Sequence, residues 1–193
     1  MFNELIRGDN KMKTVAKRFI GAVLINILIA LSPGCKKDTN GGSLSVIMTD
    51  APAPYDKVYV DIQSVQVHYD DNGIGEAGWL TLSTKAGVYD LLTLQNNVTA
   101  VLTSDNSLPF GHVTQLRLIL GTNNIVVVGG VSFPLATPSA DQSGLKINLD
   151  FTLVASHHID VTIDFNAGNS IVIEGNGTYS LKPVITVKSI IQT

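Results

Sequence analysis

The chain has 193 residues and is 45% hydrophobic and 15% charged, so it has the apolar material for one sizeable core and is not a disordered chain. Its net charge is −3, and the part after Cys35 has 8 basic and 14 acidic residues. Because the basic residues of that part are scattered, they form no phosphate-binding surface, and nucleic acid is excluded as an expected partner.

Residues 1–34 are predicted to be a lipoprotein signal peptide. A basic segment precedes the apolar stretch 19–31, and Cys35 follows soon after it. The stretch has 13 residues, fewer than the roughly 20 that a transmembrane helix needs. Met12 would be a more usual start for such a peptide, which leaves open whether residues 1–11 are translated.

Cys35 is the predicted lipid attachment site. The order of an apolar run, small residues, Gly34 and Cys35 resembles bacterial lipoprotein signals, in which the cysteine receives acyl chains such as palmitate after cleavage. The alternative, a buried thiol within an N-terminal helix, fits poorly because Pro33 and Gly34 interrupt a helix. Two or more acyl chains would hold the protein on a membrane almost permanently.

The same resemblance implies a location and a domain boundary. Lys36 stands where an aspartate would retain a lipoprotein in the inner membrane, so the outer membrane is expected, with the periplasmic or cell-surface side left open. Residues 35–43 are predicted to be the lipidated cysteine and a flexible, Gly-rich tether. Residues 44–193 are predicted to form a single domain.

After residue 43 the chain alternates between apolar and polar residues, which is typical of half-buried strands. The clearest segments are 145–153 and 159–165, in which every second residue is apolar. Clusters of Gly, Asn and Asp separate the segments, and helical periodicity is nearly absent apart from a predicted short turn at 91–94. We expect an all-β fold, specifically an antiparallel β-sandwich.

Segment 57–69 changes phase in its middle, because two apolar series lie on alternate positions that are offset by one residue. The series are Val58, Val60 and Ile62, followed by Val65, Val67 and Tyr69. An unbroken strand would turn one series toward water, so the pattern predicts a bulge or bend near Gln63 and Ser64.

Eight short phrases, taken in their order, are the part of the sequence that carries a family resemblance: SLSVIMTDAP (43–52), VQVHYDDN (65–72), GWLTL (78–82), YDLLTL (89–94), LPFGHVTQLRLIL (108–120), SGLKINLDFTL (143–153), VTIDFNA (161–167) and YSLKPVI (179–185). Together they resemble one family of bacterial lipoprotein domains, the domain of unknown function 4382. The resemblance covers essentially the whole chain after the tether and implies an immunoglobulin-like or transthyretin-like β-sandwich on an exported lipoprotein. It implies no known activity and no catalytic residues.

Two aspartate-containing segments are the first candidates for a metal site. Asp50 follows a strand and precedes a Pro-containing loop, where a carboxylate more often accepts bonds from nearby backbone N–H groups than it binds a metal. Segment 70–73, Asp-Asp-Asn-Gly, resembles a calcium loop but has its glycine at the fourth position rather than the sixth. We expect no bound metal and no cofactor, with Asp50 as the weak metal candidate.

The four histidines have no spacing that predicts a zinc site. His157 and His158 are adjacent, and neighbours in a strand point to opposite faces. His68 and His112 have no ligand-like spacing to each other or to carboxylates. A zinc site is therefore not expected.

Catalytic residues are not expected either. The sequence has no Gly-x-Ser-x-Gly nucleophile motif and no thiol other than the predicted lipid site. Asp160 and Asp164 are the best acid/base candidates, but their alternation with apolar residues predicts that both lie on a solvated face.

Trp79 is the weak candidate for ligand binding, because alternation sets it opposite to Leu80 and Leu82 and an exposed indole can stack on a sugar. The alternative is that Trp79 packs in another layer or under the loop before it. We expect a lipid-anchored, non-enzymatic binding or assembly module with a glycan or an envelope protein as its partner. Carbohydrate binding through Trp79 is the second hypothesis and an envelope hydrolase the third, and the oligomeric state stays open.

Overall fold

The structure is a computed structural model that describes residues 41–70, 78–137 and 144–193. Cys35, the predicted signal peptide, most of the tether and residues 71–73 of the calcium-like segment lie outside the described residues. In the described ranges the chain folds almost entirely into strands. These are β1 (Gly42–Thr49), β2 (Lys57–Tyr69), β3 (Trp79–Thr81), β4 (Gly87–Asp90), β5 (Ala100–Leu108), β6 (Gly111–Leu120), β7 (Ile125–Val128), β8 (Val131–Ala136), β9 (Leu145–Leu153), β10 (His158–Phe165), β11 (Ile171–Ile173), β12 (Tyr179–Leu181) and β13 (Ile185–Gln192).

The strands form two sheets, which confirms the all-β prediction. The small sheet has the order β13-β10-β1-β5, and the large sheet has the order β11-β12-β8-β7-β2-β6-β9. Strands β3 and β4 pair with the edge of β2 that β6 and β7 leave free. Most pairs are antiparallel as expected, but β1 runs parallel to β10 and β8 runs parallel to β12, so both sheets are mixed.

The core lies between the two sheets, because alternate residues of both contribute to one hydrophobic cluster. On β1 the buried residues are Leu44, Val46 and Met48, and on β10 they are every second residue from Ile159 to Phe165. The intervening residues point away from this core, since side chains alternate along a strand. These outward-pointing residues therefore form two outer faces, one on each sheet.

The predicted bulge in β2 is confirmed. All six apolar residues of segment 57–69 are buried, with relative exposures of 0% to 1%. The pairing of β2 with β6 shifts register between Ile62 and Ser64, and Gln63 between them is exposed. One extra residue thus keeps both apolar series on the core side of the sheet.

Helical structure is limited to two short elements in the described ranges. A 3₁₀ turn at Leu91–Leu94 confirms the predicted turn, and the carboxylate of Asp90 accepts a bond from the N–H of Leu92 at its start. Helix α1 spans Ala167–Ser170. Within the ranges described, no helix is both long and apolar enough to span a membrane. Strand β1 begins at Gly42, so the last two residues of the predicted tether already pair in a sheet.

Candidate functional site

The outer face of the large sheet brings together five side chains that we call the Trp79 face: Trp79, His68, Gln66, Arg117 and Lys146. Strand register places them in adjacent rows. Trp79 lies opposite His68, Gln66 lies opposite Arg117, and Arg117 lies opposite Lys146. The residues that alternate with them on β2 and β6 are buried in the core, so these five point outward.

Trp79 lies across this face and is half-buried. The guanidinium carbon of Arg117 is 4.1 Å from the centre of the indole, and the ammonium nitrogen of Lys146 is 5.9 Å from it. The imidazole of His68 meets the indole edge-on, with 5.1 Å between ring centroids and an interplanar angle of 67°. Both cations lie within the range at which the negative face of an indole attracts positive charge.

The side chain of Arg117 is fixed from two sides. Its Nε donates to Oε1 of Gln66 at 2.8 Å, and its Nη2 donates to the same oxygen. Its stem packs against Gly144, where a Cβ atom would lie 2.7 Å from Cγ of Arg117. Gly144 has a φ of +70°, so glycine suits both the backbone and the close approach.

His68 is also fixed, which holds the edge of the indole in place. Its Nδ1 lies 2.8 Å from Oγ1 of Thr114. A Cβ atom on Gly78 would lie 2.9 Å from Nε2 of His68, and Gly78 has a φ of +81°. Gly78 therefore forms a turn that glycine adopts more easily than other residues, and the next residue, Trp79, supplies the aromatic side chain of the site.

The two cations of the Trp79 face have no acidic partner in the described part of the chain. The salt bridges found there involve His112, His158 and Lys182, and none involves Arg117 or Lys146. Next to Lys146 an open cleft of about 240 Å³ lies between β9 and the segment before β13, lined by residues 144–147, Pro183 and Ile185. The face thus offers positive charge beside an accessible cleft.

The other end of the same outer face has paired charges. Nε2 of His112 lies 2.8 Å from Oδ1 of Asp150, and Nδ1 of His112 lies 3.5 Å from Oδ2 of Asp70. These bonds, with that to Asp150 the stronger, raise the pKa of His112 above its usual value. Spacing in the sequence does not indicate these two contacts, because strand pairing brings both aspartates to His112.

Asp50 is buried, and its carboxylate bonds to a distant part of the chain. Its Oδ1 accepts from the N–H of Ala167 at 2.9 Å, while its Oδ2 is buried without a hydrogen-bond partner. Burial raises the pKa of Asp50 to about 6, the Ala167 bond opposes this rise, and the charge of Asp164 adds to it. Within the described ranges no group of three His, Cys, Asp or Glu side chains is arranged to hold a metal ion.

The outer face of the small sheet has a second polar cluster, which we call the histidine ladder: Ser43, Ser45, His158 and Asp160. Nδ1 of His158 is 2.7 Å from Oγ of Ser43, and Nε2 is 3.2 Å from Oγ of Ser45 and 2.9 Å from Oδ1 of Asp160. His157 points elsewhere, toward the carbonyl of Ala155.

The histidine ladder has the residue types of a hydrolase triad, and its hydrogen bonds also connect two neighbouring strands. The backbone N–H of Ser43 donates to the carbonyl of His157 at 2.9 Å, so it is not free to stabilise an oxyanion. The cluster joins two parallel strands through their side chains, as cross-strand pairs do.

Sequence reasoning found Trp79 but missed Arg117, Gln66 and Lys146, which complete its surroundings. Alternation assigns each of them to an outer face, but it does not say which strands are neighbours. One signal was available in the composition, because Arg117 is the only arginine after Cys35. Its position between Leu116 and Leu118 sets it on an outer face, but it does not indicate that Gln66 and Trp79 are its neighbours.

A protein-family model described as "Domain of unknown function (DUF4382)" matches residues 41–183. The chain belongs to this family. The DUF4382 match includes the strands that form both the Trp79 face and the histidine ladder, and strand β13 follows it. A search of curated proteins and a search of solved structures gave no significant match.

Proposed function

We propose that this protein is a non-enzymatic binding module of the cell envelope, lipid-anchored at Cys35 to the outer membrane, and that the Trp79 face is its ligand-binding surface. The observation that supports the binding role is a half-buried indole on an outer sheet face, beside two cations that have no acidic partner among the described residues. Ligand sites combine an aromatic surface with a few fixed polar groups, and this face has both.

A carbohydrate is the ligand class that Trp79 favours. Indole rings stack on the C–H faces of sugars, and amide side chains such as that of Gln66 bond to hydroxyl groups. The alternative is an assembly role, in which the same face contacts an envelope protein, since Trp and Arg are enriched at the centres of protein interfaces. Among the described residues the histidine ladder is the candidate for an envelope hydrolase, but the backbone N–H of Ser43 is already bonded to the carbonyl of His157 and is not free for an oxyanion.

The binding role is tested with the detergent-purified protein on a glycan array, beside the Trp79→Ala variant. We expect Trp79→Ala to lower the affinity for the bound glycan by about tenfold or more, because it removes the surface that also orients Arg117. Thermal melting of the variant controls for folding. Glycan binding that Trp79→Ala leaves unchanged would contradict the site, and the absence of glycan binding with co-purification of an envelope protein would favour the assembly role.

The anchor is tested separately by Cys35→Ser. We expect this variant to move from the detergent phase to the aqueous phase in detergent partitioning, because no acyl chain can be attached to serine by this route. Circular dichroism should show the same strand content in both forms, since Cys35 precedes the first strand. An unchanged detergent fraction for the serine variant would rule out lipid attachment at Cys35.

A further inference from the structure

We infer that the ligand of the Trp79 face is an acidic saccharide, one of whose sugar carboxylates binds Arg117 and Lys146. This inference rests on the proposed binding role and names the chemical class of its ligand. It depends on three features of the face: the distribution of charge, the geometry of Arg117, and the polar groups around the indole.

Positive charge is concentrated at this face of an otherwise acidic domain. The described ranges contain six lysines and arginines, of which Arg117 and Lys146 both lie over the single tryptophan of the chain. Neither forms a salt bridge within those ranges. Two cations that lie close together repel each other, and an anion placed between them removes that cost.

The guanidinium of Arg117 is oriented for a planar anion. Its bonds to Gln66 and its stacking on Trp79 fix the plane of the group. These bonds use two of its five N–H donors, and the others have no acceptor in the described part of the chain. A rigid guanidinium with free donors matches a carboxylate, which it can bind through two parallel hydrogen bonds.

Stacking of Arg117 on the indole also argues against a purely neutral sugar. The guanidinium occupies a face of the ring on which a sugar would otherwise stack, so a ligand that approaches from that side meets the cation first. Beyond the cation, Gln115 and Asn148 supply amide groups on the neighbouring strands, and Nε2 of Gln115 donates to Oδ1 of Asn148 at 3.3 Å. Amides of this kind suit hydroxyl groups.

The acidic end of the same face limits how much negative charge the ligand can have. Asp150 lies two residues beyond Asn148 on β9, with its side chain 92% exposed, and Asp70 is 69% exposed. A densely charged polyanion such as nucleic acid would be repelled there. A saccharide that places one carboxylate at Arg117 and Lys146 and its hydroxyl groups toward the acidic end fits both ends of the face.

The test compares acidic oligosaccharides with their own carboxyl-reduced forms, in which each carboxylate becomes a neutral hydroxymethyl group and the linkages are unchanged. Oligomers of galacturonate, of glucuronate and of mannuronate serve as probes for the detergent-purified protein in isothermal titration calorimetry. We expect at least one acidic oligomer to bind about tenfold or more tightly than its reduced form, with affinity that falls as salt is added.

Three variants locate the carboxylate. Arg117→Gln should lower the affinity for the acidic oligomer by about tenfold or more, and Lys146→Gln by a smaller factor, because a lysine contributes a point charge without the planar fork. Lys146 is exposed on β9, so its replacement leaves folding intact even where Arg117→Gln does not. Lys57→Gln is the matched control, since Lys57 also lies over an aromatic ring, 5.6 Å from the centre of Tyr59, but nine residues before Gln66 on β2.

Each outcome is decisive. Preference for the acidic form that both Arg117→Gln and Lys146→Gln reduce, and Lys57→Gln does not, supports the inference. Binding that depends on Trp79 but is equal for acidic and reduced oligomers overturns the acidic ligand and leaves the proposed binding role in place. No binding of any acidic oligomer by the folded protein also overturns it, and the glycan array with Trp79→Ala then decides the binding role.

Discussion

The Trp79 face and the histidine ladder are both polar, but they differ in whether their basic groups have an acidic partner among the described residues. In the histidine ladder, His158 is bonded through both ring nitrogens to Ser43, Ser45 and Asp160. In the Trp79 face, Arg117 and Lys146 have no acidic partner in the described ranges. Both faces formed from the same alternation of apolar and polar residues.

This difference separates polar groups that stabilise the fold from groups that are available to a ligand. A partly buried hydrogen bond contributes about 0.5–1.5 kcal/mol to stability, so a closed set of bonds is a sufficient reason for the histidine ladder. Lys146, which is exposed and has no acidic partner in the described ranges, contributes no such bond. Substitutions in the ladder should therefore reduce stability, whereas loss of Lys146 should reduce binding and leave stability nearly unchanged.

The largest expected loss of stability is at Gly144, which packs closely against β6 and against Arg117 of the Trp79 face. Gly144→Ala would place a Cβ atom 2.5 Å from Cδ1 of Ile119 and 2.9 Å from the carbonyl of Leu118, at a φ of +70°. We expect a loss of about 2–4 kcal/mol in the free energy of unfolding, measured by urea denaturation, from overpacking and backbone strain together. The fluorescence of Trp79 should also change, because Arg117 must move.

Gly129→Ala is the matched control for this substitution. Gly129 also has a positive φ, +56°, but an added Cβ atom would meet no other atom within 4 Å. It should cost only the backbone strain, about 1–2 kcal/mol, and leave the fluorescence of Trp79 unchanged. Equal losses in the two variants would show that the contact of Gly144 with β6 is not tight.

A smaller loss in the free energy of unfolding is expected at His158. It tests whether the histidine ladder stabilises the fold. His158→Ala leaves Ser45 and Asp160 without their bonds to the ring, so we expect a loss of about 1–2 kcal/mol in the free energy of unfolding. His157→Ala should change it by less than about 0.5 kcal/mol, since His157 is exposed. If both variants melt at the temperature of the wild type, the histidine ladder does not stabilise the fold and its role must be reconsidered.

Alternation of apolar and polar residues predicted the strands well, because the alternation of a strand is visible in its own local sequence. Strand β9 spans the predicted segment Leu145–Leu153, and the phase change in β2 identified the bulge at Gln63 from burial requirements. A β2 strand without the bulge would expose three large apolar side chains, at a cost of about 1.5–3 kcal/mol each. Other registers of β2 are therefore much less stable than the observed one.

The neighbours of each strand were not predictable in this way. The parallel pairing of β1 with β10 joins residues that are 115 positions apart, such as Ser43 and His158, and nothing in either segment encodes the other. The surroundings of Trp79 depend likewise on the order β3-β2-β6-β9. The sequence therefore indicated that Trp79 faces outward, while the cations beside it followed only from the sheet order.

The smallest expected effect concerns His112, at the paired end of the Trp79 face. Its bonds to Asp150 and Asp70 raise its pKa, so they stabilise the folded state below the usual histidine pKa of about 6.5 and lose this contribution as the pH rises through the folded value. Asp150→Asn should lower the pKa of His112, measured from the pH dependence of its imidazole NMR signals. Asp70→Asn should lower it less, because that contact is 3.5 Å long rather than 2.8 Å. Asp160→Asn, on the small sheet, should leave it unchanged, and a larger shift from Asp70→Asn than from Asp150→Asn would show that the two contacts are ranked wrongly.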